Sequence, residues 1–218
     1  MNNERIACFA TREEVLEFFN LETNREVIFS PHYNLATSHH IPVVRPAQKA
    51  EETEIVRLKW GLRGDGEELQ GTVSPERAVK GLKDGVFRKG VVPLSGFYLW
   101  KKGGKRAGNP FFVRLIEEPF MAVAAVITAK PEKGESGPSC ALIETTSNAL
   151  LLPLSSEIPL TLSQEGVKDW LFSRQPENEL LTRAGSAETL SRMTVLRVSE
   201  RVNDLKNSDP KLIQPLPK

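Results

Sequence analysis

Cysteine and histidine are scarce in this 218-residue chain: Cys8 and Cys140 are the only examples of the first, and His32, His39 and His40 of the second. The two cysteines are too far apart for metal-type spacing and imply no disulfide framework. No cysteine stands near the clustered histidines in a CxxC arrangement, which argues against a zinc site, so no metal or cofactor is expected. An excess of charge is lacking too, since 29 Lys and Arg against 28 Asp and Glu leave a formal charge of +1. Such a balance rules out a strongly polybasic tail, and neither demands nor excludes a nucleic-acid partner. The longest apolar stretch, Phe120 to Thr128, is about half of what crossing a bilayer requires. Met1 to Arg5 carries no basic-then-apolar signal pattern. A soluble, cytoplasmic protein without a membrane role is expected. With 39% hydrophobic and 26% charged residues, the composition is that of an ordinary globular chain able to bury a sizeable core.

The order of elements is legible in outline. Thr11 followed by Glu14 forms a capping box, and Val15, Leu16, Phe18 and Phe19 supply an apolar face, which predicts a helix over 12–20. Short strands are expected over 41–45, 54–60, 91–93, 97–101, 111–116, 120–128 and 140–146, each bounded by turn residues. Pro75 opens a helix over 75–83. Further helices are expected over 163–172 and 176–183, a late strand over 194–198, and coil from Asp209. The three histidines fall in a loop containing Pro and Ser. No linker or repeat divides the chain. The pattern predicts one α+β domain spanning 1–218, built on a curved antiparallel sheet or open barrel with peripheral helices.

The most informative segment is Val92-Pro93-Leu94-Ser95-Gly96-Phe97-Tyr98-Leu99-Trp100, a buried apolar run, a small-residue turn and an aromatic strand. It resembles the "VP-x-x-GFYEW" signature of the SOS response-associated peptidase (SRAP) family of abasic-site-processing proteins. The resemblance runs along nearly the whole chain in order. Tyr33-Asn34-Leu35-Ala36 with Ile41-Pro42-Val43 is similar to "YNIAPTQ-x-xPV", and Lys59-Trp60-Gly61-Leu62 to "RWGL". Thr145 to Ala149 falls at "TT-x-AN", and Ser155 to Leu160 at "H-x-RMPV". Val198-Ser199, Val202-Asn203 and Leu212-Ile213-x-Pro215 match the closing "VS…VN…LI-x-P". The resemblance implies the same α+β architecture.

The family's chemistry, carried over position by position, is missing. A cysteine exposed by loss of the initiator methionine uses its thiol and α-amine to close a thiazolidine on the aldehyde of an abasic sugar. Here "CGRF" aligns with Ile6-Ala7-Cys8-Phe9, so Ile6 holds the nucleophile position behind a five-residue extension, and Asn2 is too bulky to favour methionine removal. The active-site glutamate is Leu99, which can neither donate nor accept a proton. The histidine is Ser155, or Ser156 one residue on, and neither hydroxyl replaces an imidazole base near neutral pH. The asparagine falls at Thr72, while Glu76 keeps the acidic residue of that segment. Thr37 replaces the proline of "NIAPTQ", and no second tryptophan follows "WGL". Covalent trapping and autoproteolysis are therefore expected to be absent.

Three functions remain open at this stage. The resemblance implies non-covalent binding of single-stranded or damaged DNA, with Asn34, Trp60, Arg88 and Lys89 as candidate contacts. Lys101-Lys102-Gly103-Gly104-Lys105-Arg106 reads as a hairpin tip that could meet phosphates. An enzyme with chemistry relocated to Cys8, Ser155 or Glu76 in the residual pocket is the second function, and an interaction paralogue with no nucleic-acid role the third. Leu99 is expected on the pocket face with Ile6 and Ser155 close by.

Overall fold

A computed structural model describes residues 4–21, 29–49, 52–64, 68–101, 109–184 and 190–217. The strands are β1 (Ile6–Cys8), β2 (His32–Leu35), β3 (His40–Pro46), β4 (Thr53–Trp60), β5 (Leu62–Arg63), β6 (Leu69–Gln70), β7 (Thr72–Val73), β8 (Phe87–Leu94), β9 (Gly96–Trp100), β10 (Pro110–Leu115), β11 (Met121–Thr128), β12 (Ser139–Thr146), β13 (Glu157–Pro159), β14 (Thr161–Leu162) and β15 (Met193–Arg197). The helices are α1 (Arg12–Phe19), α2 (Pro75–Lys83), α3 (Gln164–Phe172) and α4 (Glu177–Ala184). None of the described helices is long and apolar enough to cross a membrane.

The fold is α+β, with two large curved sheets and helices outside them. One sheet is antiparallel in the order β15-β10-β9-β1-β2. In the other, β12 pairs antiparallel with β11 and parallel with β4, while β3 and β8 link those two strands on the far side. The strands β12-β4-β3-β8-β11 thus return on themselves as a ring.

Alternation along each strand splits the core in two. On β11, buried along its whole length, Met121, Val123, Ala125 and Ile127 pack with Ile6, Phe97 and Leu99 of the first sheet. The intervening Ala122, Ala124 and Val126 pack with Val15, Phe19, Ala78, Trp170 and Leu180 of the helices. A strand buried on both faces reads as a continuous apolar run, and so does Phe120 to Thr128.

The chain passes from one sheet to the other at Ser95-Gly96. Ser95 Oγ accepts hydrogen bonds from the amides of Phe9 and Ala10 at 2.9 and 3.0 Å. A Cβ on Gly96 would meet the Phe112 ring and lie 2.7 Å from the Val113 carbonyl oxygen, so close approach requires glycine there.

The capping box at Thr11 is formed on both sides, and Asn20 ends α1 in the left-handed region. Ser74 and Ser163 cap α2 and α3. Some expectations are corrected. His32 and His40 lie in β2 and β3, and His39 alone is in the turn between them. From Asp209 the chain is not plain coil, because Asp209 caps a short 3-10 turn over Pro210–Ile213. The basic cluster at 101–106 lies outside the described residues beyond Lys101.

Candidate functional site

A groove of ≈ 940 Å³ opens where the start of β1, β6-β7, the first turn of α2 and β12 converge. Its construction begins with Trp60, buried at the end of β4, whose indole Nε1 donates to the Gly71 carbonyl at 2.8 Å. Gly71 is pinned from the other side, since its amide donates to Glu4 Oε2 at 2.5 Å. A Cβ at this position would lie 2.6 Å from the Trp60 ring. Pinning Gly71 fixes the next residue, Thr72, in parallel register with Leu142 of β12.

Thr72 Oγ1 then lies 3.0 Å from Glu4 Oε1 and 2.5 Å from Glu144 Oε1. Burial raises the Glu4 pKa, hydrogen bonds from Thr72 and Gly71 partly offset that, and nearby Glu144 adds to the rise. Across the groove Arg77 donates to Gln70 Oε1 at 2.5 Å and to the Arg63 carbonyl at 3.1 Å. Arg5, Thr37 and Glu68 complete the polar lining.

Of the positions matched to the family's chemistry, only Thr72 lines this groove. Ile6 and Leu99 are 2% and 3% exposed and belong to one apolar cluster with Leu142, Leu151 and Ile158. Ser155 is buried and donates to the Glu157 carbonyl at 2.7 Å, and its neighbours Leu154 and Ile158 join that same cluster. Ser156 is exposed.

The residues proposed for relocated chemistry are placed poorly for it. Cys8 is buried in the Ile6–Leu99 cluster, and burial pushes its thiol up to about 12, leaving almost no thiolate near neutral pH. Glu76 is exposed in the first turn of α2, where hydrogen bonds at the helix start hold its carboxyl below the usual range. Among the described residues no group of three or more Asp, Glu, His or Cys could hold a metal ion.

The structure places the four candidate nucleic-acid contacts in different surroundings. Asn34 is fully buried, and its amide nitrogen donates to the carbonyls of Val202, Asp204 and Asn207 at 3.0–3.1 Å, so it clips the C-terminal segment. Trp60 is a buried support and offers no stacking face. Lys89 donates to the Ser173 carbonyl and sits 5.3 Å over the Trp170 ring, which ties α3 to β8. Arg88 is exposed on β8, outside the groove lining.

Glu4 and Glu144 are two groove residues that the motifs do not single out. A signal for both exists in strand alternation. Glu4 shares a face with Ile6 and Cys8, and Glu144 shares one with Leu142 and Cys140, so each is a carboxyl in a core-facing phase. The pairs Ile6–Phe97 and Ala7–Gly96 set the β1–β9 register, and Tyr98 N–H donates to the Arg5 carbonyl beyond them. That register brings Glu4 level with Leu99. What the site offers chemically is two carboxyls on one hydroxyl, one backbone donor and two guanidinium groups across an open groove.

Comparison with known proteins finds relatives along nearly the whole chain. Abasic site processing protein YoqW of Bacillus subtilis (strain 168) is 25% identical over 222 residues, covering 96% of this chain and 98% of its own. Abasic site processing protein YedK of Escherichia coli (strain K12) is 22% identical, over 97% of this chain and 99% of its own. A crystal structure from Bacteroides thetaiotaomicron superposes with a TM-score of 0.76 at 17% identity, over 97% of this chain and 99% of that one, which shows the shared fold. The profile of the SOS response associated peptidase (SRAP) family matches residues 4–205, and with that match the chain belongs to the SRAP family.

Proposed function

We propose that this chain binds single-stranded or abasic DNA non-covalently, in a DNA-damage context, and that the family's covalent trapping and autoproteolysis are lost. The observation that carries this reading is the fate of the reactive corner. Ile6 and Leu99 are sealed in the apolar core, while Thr72 alone of the matched positions still faces a groove. Ser155 donates its hydrogen bond to a backbone carbonyl, and Cys8 is a buried thiol with an amide rather than an amine beside it. None of these groups can attack a sugar aldehyde. Relatives that cover the full chain are named abasic site processing proteins, which supports DNA as the partner class.

One observation favours a second reading, an interaction protein with no DNA role. The groove lining carries Glu4, Glu68 and Glu144 against Arg5 and Arg77, so it is not a positive channel. Two measurements separate the readings. Fluorescence anisotropy with a single-stranded oligonucleotide carrying one tetrahydrofuran abasic analogue should show binding that weakens steeply with salt, because phosphate neutralisation releases counterions. No binding at low salt overturns the DNA reading. Intact-mass spectrometry after incubation with aldehyde-bearing abasic DNA should show unmodified protein, whereas a stable adduct refutes the loss of covalent chemistry.

A further inference from the structure

The hydrogen count around Thr72 is informative. Its hydroxyl carries one proton, yet its oxygen lies within hydrogen-bond distance of both Glu4 Oε1 and Glu144 Oε1. Two ionised carboxylates here would leave one oxygen–oxygen contact with no hydrogen in it and two anions facing each other. A single proton held in this pair relieves both, and the contacts to Thr72 together with burial favour Glu4 as its holder. Glu4 Oε1–H then donates to Thr72 Oγ1, and Thr72 passes its own hydrogen to Glu144. Meanwhile Glu4 Oε2 accepts from the Gly71 amide.

In that state Glu4 presents an acceptor beside a donor, the pattern of a primary amide or of the hydrogen-bonding edge of an unpaired nucleobase. The seat it fills is the complement: the Gly71 N–H donates and Thr72 Oγ1 accepts, at the mouth of a groove with room for a base. Glu4 lies just beyond the last ladder bond of its strand, the one made by the Arg5 carbonyl, so it can swing away without unpairing β1. Arg5 itself leaves a buried Nε without a hydrogen-bond partner among the described residues, a donor at the same edge of the groove. The other charged groups lining the groove are Glu68 from the approach to β6 and Arg77 from α2.

We infer that the Gly71–Thr72 seat recognises the acceptor–donor edge of an unpaired nucleobase, and that Glu4 is its resident occupant, displaced when the base enters. This rests on the DNA reading for the identity of the natural ligand. The seat itself is tested with a small molecule.

The experiment follows the Gly71 amide resonance in wild type, Glu4→Gln, Glu4→Ala and Glu4→Ser. Across pH 4–9 (a range of about five decades in proton activity around the carboxyl values) the wild-type resonance should titrate above the ordinary glutamate range. In Glu4→Gln, the neutral isostere, it should be flat. Millimolar free uracil should move the resonance in Glu4→Ala and Glu4→Ser, where the seat is vacated, and leave wild type and Glu4→Gln unmoved. An octamer of thymidylate should bind the vacated variants about three- to tenfold more tightly than wild type, the worth of about one hydrogen bond, while an all-tetrahydrofuran octamer gains nothing. A wild-type titration that persists in Glu4→Gln, or a Gly71 amide indifferent to uracil in both vacated variants, overturns the inference. If uracil moves Gly71 while no oligonucleotide binds any variant, the seat stands and the DNA reading falls. If oligonucleotides bind every variant with equal affinity, the reading stands and the seat falls.

Discussion

Leu99 stands where the family resemblance implies a glutamate, and its surroundings determine what a carboxyl placed there would do. Ile6, Phe97, Leu142 and Ile158 share its cluster. Leu99→Glu should therefore not restore catalysis; abasic DNA should still give no covalent adduct by mass spectrometry. It should destabilise the fold by about 3 kcal/mol or more near neutral pH, through lost apolar burial and a carboxyl held without partners. Burial would raise the folded-state pKa of the new carboxyl. The penalty should thus be smaller at pH 4.5 than at pH 7.5, growing as pH rises through that folded value. Urea midpoints measured at these two pH values decide it, and an equal loss at both would mean that position 99 is solvated. The positions that answer to the family's motifs can be addressed from the sequence because motif register carries a residue's place. Glu4 and Glu144 were legible only in part: strand alternation puts each in a core-facing phase, but only the pairing of β7 with β12 brings Thr72 between them.

At the scale of elements, legibility followed how local the determinants are. The helices α1 and α2 were marked by Thr11 and Pro75, and in the structure the side chains of Thr11, Ser74 and Ser163 satisfy amides within the first turns of α1, α2 and α3. Long strands were marked by their own apolar runs. The pairs β5-β6, β7 and β14 have two residues each, and β1 only three, so too little sequence exists in them for a period to show. They are strands because a neighbour offers a ladder. The C-terminal segment is held in a similarly non-local way. It docks by Asn34 on β2, by Trp100 Nε1 donating to Asn203 Oδ1 at 2.9 Å, and by Val202 and Leu212 packing on Tyr98. Asn34→Ala removes an amide shared among three carbonyls and should cost about 1–3 kcal/mol, since the buried Val202 carbonyl and two part-buried ones are left without their donor. Hydrogen exchange should quicken across 200–213 and stay slow in the ring strands β8 and β11. Uniform quickening would mean that the clip is part of the global fold rather than a local latch. Trp60→Phe belongs to the same scale. It deletes the indole N–H that holds Gly71, so it should cost about 1–2 kcal/mol in urea unfolding and loosen Thr72 before anything else.

The whole molecule carries almost no net charge, so its response to pH is set by individual groups rather than by collective repulsion. Two kinds of carboxyl act in opposite directions. Asp209 is held below its ordinary value by its hydrogen bond with Arg201, at 2.8 Å. Its contribution is present above the unfolded-state value and is lost as pH falls through the lowered folded one. Glu4 is the reverse case, its folded pKa raised above the ordinary 4.5 by burial. What it contributes is fully present below that ordinary value and is lost as pH rises through the folded one, when a second negative charge must sit beside Glu144. Taken by themselves these two groups favour the mildly acidic side and lose stability toward alkaline pH as Glu4 ionises, while His32, held below its ordinary value by burial, opposes them where it must protonate. Glu4→Gln separates the two limbs, because it keeps an acceptor for Gly71 and a donor for Thr72 yet has no proton to lose. Thermal unfolding of both proteins at half-unit steps from pH 4 to 9 (steps fine enough for a single-site curve about two units wide) should give nearly equal Tm values at the acid end. The variant should gain over wild type as pH rises, with its own acid limb unchanged because Asp209 is untouched. A Tm difference independent of pH would mean that Glu4 and Glu144 hold no proton between them, and the seat at Gly71 and Thr72 would then be an ordinary structural contact.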